Sequence, residues 1–167
     1  MSKLNNSVKD PVCGMSVTPD KNAITYQQMH FAFCSLQCQE RFLASPHLYI
    51  GYPGQKSPKQ EGKVFLKQRR IELDKPLTSQ MSRKISEALQ AMMGIEKVEI
   101  IGNNINVTYD LLQATEAQIE SEITQAGAKL GQEWSERLKR AFVNYLEESE
   151  IKNQAVTPPA RAGGHSH

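Results

Sequence analysis

The chain contains 167 residues, of which 39% are hydrophobic and 23% charged, and its mean hydropathy is -0.51. This composition predicts a soluble globular protein and excludes collagen-like, wholly disordered and integral membrane classes. The net charge of +2 is too balanced to indicate a nucleic-acid partner. No apolar run approaches the roughly 18 residues that span a bilayer, and the first ten residues lack an apolar signal core. We therefore expect a cytoplasmic protein with no direct membrane insertion.

Residues 51–62 hold three glycines and two prolines without periodicity, which predicts a linker. The linker separates a small unit over residues 8–50, with all three cysteines, from a larger unit over residues 63–131. A helix is predicted over residues 132–151. Residues 152–167 become polar and rich in Pro and Gly, which predicts a disordered tail.

The candidate metal ligands of the small unit are Cys13, Cys34 and Cys38. A hairpin over residues 23–33 precedes Cys34, and Ser35 is the predicted N-cap of a short helix. Cys38 then lies in the first turn of this helix, where the helix dipole favours a thiolate. Thiolates prefer soft ions, so the cysteines predict a site for Cu(I) or Zn(II) rather than for Mg or Ca.

Three cysteines leave an open coordination position or a fourth ligand of another type. His30 shares a strand face with Cys34 and is one candidate, with a surface histidine as the alternative. Met15 offers a thioether and is a second candidate, with a core methionine as the alternative. A disulfide between Cys34 and Cys38 is also conceivable, although their C-x3-C spacing is not the redox C-x-x-C pattern.

The larger unit begins with an extended segment over residues 64–73, followed by a helix whose apolar residues form one stripe. These are Met81, Ile85, Ala88, Leu89 and Met92. Thr78 or Ser79 is expected to cap this helix and Gly94 to end it.

Two strands over residues 95–101 and 105–109 are expected to pair through a tight turn. Thr115 and Gln118 form a capping box that opens a second helix, and residues 128–130 add a short fourth strand. The order βαββαβ predicts a ferredoxin-like split βαβ, and the whole chain an α+β fold.

The C-terminal helix presents an apolar face that needs a cover, either the sheet, the small unit or another chain. This face contains Trp134, Leu138, Ala141, Phe142 and Tyr145. Beyond it, His165 and His167 form a His-x-His pair that can hold Cu(II), Ni(II) or Zn(II) only weakly on a mobile tail.

The segments around the cysteines closely resemble a YHS domain, the family also described as the TRASH metallochaperone-like, treble-clef module. They are Asp10-Pro11-Val12-Cys13-Gly14-Met15 and Phe31-Ala32-Phe33-Cys34-Ser35-Leu36-Gln37-Cys38, with Phe42, Pro46 and Tyr49 behind them. The resemblance implies that Cys13, Cys34 and Cys38 bind metal. Family members occur in heavy-metal P-type ATPases, in metal-responsive regulators and as stand-alone proteins. Many carry a histidine two positions before Tyr26, where this chain has Ile24.

Residues 63–131 look like a heavy-metal-associated (HMA) domain, which has the same βαββαβ order. The metal loop of that family reads Gly-Met-x-Cys-x-x-Cys, and its two cysteine positions fall on Thr78 and Met81 in this chain. The copy lacks the thiolates, and Met81 lies on the apolar stripe. The resemblance therefore implies a docking or dimerising module without a chelate.

No P-loop, G-x-S-x-G, H-E-x-x-H or dinucleotide fingerprint is present in the sequence, so we expect no enzyme. The cysteine spacing, together with the two resemblances, implies a metallochaperone-like protein that binds one soft ion, Cu(I) before Zn(II), and exchanges it with a heavy-metal P-type ATPase. The alternative is a structural zinc protein that forms a homodimer. A DNA-binding metal sensor would need a basic face that the sequence does not show.

Overall fold

Two short antiparallel hairpins and a helix build the first unit of the structure, a computed structural model that describes residues 6–158. The elements are β1 (Val8–Lys9), β2 (Ser16–Val17), β3 (Ile24–Tyr26), β4 (Met29–Phe31), α1 (Leu36–Ala44) and a 3₁₀ turn (Pro46–Leu48). β1 pairs with β2, and β3 pairs with β4. Gln27 and Gln28 have φ angles of 49° and 65°, because a two-residue hairpin turn requires left-handed backbone at both positions.

The second unit is a three-stranded antiparallel sheet in the order β5-β7-β6. Its elements are β5 (Leu66–Glu72), α2 (Ser79–Gln90), β6 (Ile95–Ile101), β7 (Asn104–Asp110) and α3 (Glu116–Gln125). The expected fourth strand is reduced to one antiparallel bridge between Leu73 and Leu130. The mixture of helices and antiparallel sheets confirms the α+β class, while a complete ferredoxin-like sheet stays a prediction.

Helix α2 starts where the sequence predicts and ends earlier. The Thr78 side chain caps it by accepting a hydrogen bond from the Met81 N–H (3.2 Å), and Ile85 and Leu89 are buried. The last helical residue is Gln90 rather than one next to Gly94. Beyond it, the Met92 N–H donates to the Leu89 carbonyl in a tighter turn (3.1 Å), and the Met93 N–H donates to the Gln37 side chain of the first unit (3.1 Å).

The two units share one hydrophobic core. Phe33, Phe42 and Tyr49 of the first unit belong to the same buried cluster as Ile85 and Leu89 of α2. The Tyr49 hydroxyl also donates a hydrogen bond to the Leu112 carbonyl. The metal-site candidates in the first unit are therefore held against the second unit by packing as well as by the chain.

Helix α4 (Trp134–Gln154) is anchored mainly through its second half, and it extends past the predicted end at residue 151. Its Glu147 is buried, accepts hydrogen bonds from the Tyr109 hydroxyl and the Glu116 N–H (2.8 Å), and lies 3.5 Å from the Arg69 guanidinium. Burial of Ile151 adds apolar contact beside it.

The first half of α4 leaves its apolar face open. Trp134, Leu138, Phe142 and Tyr145 are between 54% and 75% exposed. Within residues 6–158, neither the sheet nor the first unit covers this face. No helix in that range is long and apolar enough to cross a bilayer. His165 and His167 lie outside the described residues.

Candidate metal centre

The three cysteine sulfurs meet at one point in the first unit. The Sγ atoms of Cys13 and Cys34 are 3.4 Å apart, and those of Cys34 and Cys38 are 3.6 Å apart. A carboxylate oxygen of Asp10 joins them, and the four ligand atoms all lie within 4.8 Å of one another. Metal–sulfur bonds of about 2.3 Å in a tetrahedral site place sulfurs about 3.8 Å apart, so a small expansion admits a soft ion.

Each cysteine is placed by a different local structure. Cys13 lies on the turn between β1 and β2, which Gly14 closes with a φ of 81° and a hydrogen bond from its N–H to the Asp10 carbonyl (2.8 Å). Cys34 follows β4. Cys38 is the third residue of α1, and its N–H donates to the Ser35 hydroxyl, as the capping pattern predicts.

Asp10 ties the two cysteine loops together. Its side chain is buried, and one carboxylate oxygen accepts from the N–H groups of Val12 (2.7 Å) and Cys13 (3.2 Å). The other oxygen accepts from the Cys34 N–H (2.8 Å). Because backbone donors already engage both oxygens, we interpret Asp10 as a positioning residue rather than as a fourth ligand. Sequence reasoning missed this role, although an Asp that bonds its own backbone two residues on is a known turn signal.

The three thiols have different pKa values because their neighbours and their burial differ. The neighbouring Cys38 thiol lowers the pKa of Cys13 to about 7, against the opposing effect of burial. Burial raises the pKa of Cys34 to about 11. The pKa of Cys38 is raised by the neighbouring Cys13 thiol and then by burial. The expectation that the helix dipole favours a thiolate at Cys38 stays a prediction, and in this cluster the contact with Cys13 and burial oppose it by raising the pKa of Cys38.

The thiol cluster is open on one side. Cys38 is fully buried, whereas Cys13 and Cys34 are both half-buried, and all three are free thiols. The structure thus contains no disulfide between Cys34 and Cys38. A donor from another molecule can approach the cluster along the edge formed by Cys13 and Cys34.

The structure does not bring His30 to the cluster. His30 is exposed on β4, and its Nε2 is hydrogen-bonded to the Pro19 carbonyl. Among residues 6–158, no histidine belongs to the group of converging ligand atoms. Met15 is 48% exposed and lines a cleft that also contains Cys34. The geometry therefore leaves the fourth coordination position without a strong donor from the residues proposed for it.

Thr78 and Met81 lie at the start of α2 and hold no thiol. The Thr78 hydroxyl serves as the helix cap, while Met81 packs against the hydrophobic core. Both side chains therefore have structural contacts that account for their residue types.

Comparisons with known proteins agree with the first unit. The family model of the YHS domain matches residues 8–52. The silver exporting P-type ATPase of Salmonella typhimurium is 41% identical over 47 residues, which cover 27% of this chain and only 6% of the exporter. No solved structure matches the chain. The HMA-like interpretation of the second unit stays a prediction. Residues 8–52 of this chain are a YHS domain, and its cysteine and aspartate side chains form a cluster that could bind a metal ion.

Proposed function

We propose that this chain binds one soft metal ion through Cys13, Cys34 and Cys38 and passes it to a partner in heavy-metal trafficking. The observation that carries the proposal is the convergence of three sulfurs with one open edge. Cu(I) is the favoured ion, because thiolates select soft ions and a low-coordinate thiolate site suits it. Zn(II) ranks second, since a structural zinc site needs a fourth ligand that no histidine of residues 6–158 supplies.

Transfer proceeds by ligand exchange rather than by free release. An incoming thiolate attacks the ion from the side of Cys13 and Cys34, and the bonds to this chain break one after another. Cys38, the buried ligand, leaves last. The protein needs no catalytic group for this step, so the proposed role is that of a non-enzymatic metal carrier in the cytoplasm.

The proposed partner is a heavy-metal P-type ATPase. Support comes from the similarity to the silver exporting P-type ATPase, which is 41% identical over 47 residues. Ag(I) has the same soft, singly charged character as Cu(I), so we include it as a cargo. The second unit, with its HMA-like element order, is the proposed docking surface.

Anaerobic competition against a chromogenic Cu(I) chelator tests the site. We expect one tightly bound Cu(I) or Ag(I) per chain, and loss of this binding in Cys34→Ser. His30→Ala is the matched control, because His30 is exposed and lies outside the cluster. Equal affinity in Cys34→Ser and the unmodified protein would exclude the three-cysteine site.

A separate measurement tests transfer. The Cu(I)-loaded protein is mixed with the metal-free cytosolic domain of a heavy-metal ATPase, the two are separated, and each is analysed for metal. If metal moves to the domain faster than it moves to a dilute small-molecule chelator, the transfer occurs by ligand exchange. Metal that leaves this chain at the same rate with and without the domain would contradict it.

The second candidate function is a zinc-stabilised homodimer, which the open face of α4 favours. Five large apolar side chains are exposed there: Trp134, Leu138, Phe142, Tyr145 and Leu146. Contiguous apolar patches of this kind mark interaction sites. Arg137 and Glu148 lie on the same side of the stripe near its opposite ends, so two antiparallel copies would place Arg137 against Glu148.

Sedimentation equilibrium tests the homodimer with Phe142→Glu, which puts a charge into the middle of the stripe. The matched control is Ile101→Glu, since Ile101 is 65% exposed at the far end of β6. Dimers that only Phe142→Glu dissociates support the α4 interface. Mild chelation then separates the two functions, because removal of a structural zinc unfolds residues 8–52 whereas removal of a transferable ion leaves them folded.

A further inference from the structure

A cleft between the two units gathers three thioethers beside the cysteine cluster. Its volume is about 650 Å³, and its walls include Cys34 together with Met15, Met92 and Met93. The whole chain has only six methionines, so half of them line one cleft. Met15 comes from the YHS domain, and the methionine pair comes from the second unit.

The methionine pair is held in a fixed place relative to the cysteines. Gln37 lies on α1 between Cys34 and Cys38. Its side-chain oxygen accepts from the Met93 N–H (3.1 Å), and its side-chain nitrogen donates to the carbonyls of Met93 (2.9 Å) and Gln113 (2.8 Å). These bonds fix the Met93 backbone against α1 and so hold the methionine pair in the wall of the cleft.

Packing in the hydrophobic core does not bury the three methionines completely. Met15 is 48% exposed, and Met92 and Met93 are half-buried, so part of each side chain remains accessible from the cleft. The cleft also contains one cation and one anion, Lys21 and Glu122. Because these charges balance, softness of the donor atoms rather than net charge distinguishes this cleft.

Thioether sulfur is a neutral and soft ligand. It suits Cu(I) and Ag(I), whereas harder divalent ions prefer oxygen or imidazole donors. Methionine side chains are also flexible, so several of them can follow an ion as it moves. A group of accessible thioethers next to a thiol can therefore bind an ion weakly before the thiol binds it strongly.

We propose that this cleft is a thioether subsite for a soft monovalent ion, formed by Met15, Met92 and Met93 across the two units. An ion enters the cleft, binds the thioethers and then moves to Cys34. In that step a metal–thioether bond breaks, a metal–thiolate bond forms, the Cys34 proton goes to solvent, and the oxidation state of the ion is unchanged. The inference rests on the proposed function for its direction of flow, but binding in the cleft does not require it.

NMR of the full chain labelled with ¹³C at the methionine methyl groups tests binding, with Ag(I) as a redox-inert probe. We expect Met15, Met92 and Met93 to shift during the titration. Met29 is the internal control, because it is 45% exposed on the β3–β4 hairpin and outside the cleft. The same titration with Zn(II) should leave all methionine methyl groups in place. Equal shifts of Met29 and the cleft methionines, or no shift in the cleft, would overturn the subsite.

Loading kinetics test the role of the subsite. The triple variant Met15→Leu, Met92→Leu and Met93→Leu nearly conserves side-chain volume. We expect it to load the cysteine cluster with Ag(I) at least about tenfold more slowly, an effect of the size that outer-shell partners have on metal binding. Final occupancy should be unchanged, and Met29→Leu should load normally. Normal loading of the triple variant would overturn the entry role.

The Cys34→Ser variant separates this inference from the proposed function. If the subsite exists, Ag(I) still shifts the three cleft methionines in this variant while tight binding is lost. If the unmodified protein shows methionine shifts without tight binding, the proposed three-cysteine function fails and the subsite stands. If the unmodified protein binds Ag(I) tightly but the cleft methionines do not shift, the subsite fails and the three-cysteine function stands.

Discussion

Each of the two units contains a helix that begins after a hydroxyl N-cap. Comparing these two helix starts shows that similar backbone structure does not determine whether a loop can bind a metal ion. Ser35 caps α1 and accepts from the Cys38 N–H (3.4 Å), while Thr78 caps α2 and accepts from the Met81 N–H (3.2 Å). The third helical residue is a thiol in one loop and a thioether packed on the core in the other. Cys38 has the sulfurs of Cys13 and Cys34 within reach, whereas no Cys or His of residues 6–158 joins a metal-ligand group at Met81, so we expect only the first loop to form a thiolate chelate.

Replacing the third helical residue should give the largest difference between the two loops. We expect Cys38→Ser to weaken Cu(I) or Ag(I) binding more than about a hundredfold, beyond the effect of losing an outer-shell partner. Met81→Leu should leave metal affinity unchanged. Chelator competition measures both variants, and comparable losses in the two would show that the loops do not differ as described.

Adding thiols to the second loop tests whether residue type alone separates them. Thr78→Cys combined with Met81→Cys restores two thiols at a helix start, so we expect a second, weaker equivalent of bound Ag(I). Loss of the hydroxyl cap should also destabilise the fold by about 1 kcal/mol. A folded double variant that still binds a single equivalent would mean that local geometry does not favour a chelate there.

Removing each cap should separate stability from metal binding. Ser35→Ala and Thr78→Ala should each lower the free energy of unfolding by about 1 kcal/mol, which urea titration measures. Ser35→Ala should also weaken metal binding, because the cap holds the Cys38 backbone in place. Unchanged metal affinity in Ser35→Ala would show that Asp10 and the core suffice to position the sulfurs.

A buried carboxyl in the second unit gives a pH effect that involves neither loop. Burial, together with the charges of Glu120 and Glu147, raises the pKa of Glu116 from 4.5 to about 8. Between these values the folded chain holds a proton that the unfolded chain has lost, so stability falls as the pH rises through this window.

Thermal unfolding at pH values between about 5 and 8 measures this dependence. Glu116→Gln cannot titrate and should flatten it, with each 1 kcal/mol corresponding to about 2–4 °C in melting temperature. The variant should not alter metal affinity. A pH dependence as steep as that of the unmodified protein would assign the effect to other groups.

Most of the secondary structure could be predicted from local patterns in the sequence. The caps at Ser35 and Thr78, the capping box at Thr115 and the tight turn before Asn104 were all readable from neighbouring residues, because these interactions span only a few positions. The end of α2 at Gln90 was not, and the backbone of Met93 just beyond it is bonded by Gln37, which is far away in the chain.

The candidate site was readable only in part. Cysteine spacing predicted that Cys13, Cys34 and Cys38 approach one another, and the structure places their sulfurs together. Spacing did not reveal that Asp10 links the loops or that His30 faces away. A period-two strand pattern says which face a side chain takes, not what lies next to that face.

The amino-acid sequence by itself determined a soft donor set, a hydroxyl cap beside it and an α+β arrangement, because residue type and short-range spacing are enough to specify them. Tertiary structure decided which of the three thiols is buried, which edge of the cluster is open, that methionines from the second unit line the same cleft, and that one face of α4 is left uncovered. These properties depend on burial and on contacts between residues distant in the chain, and neither is encoded in local spacing.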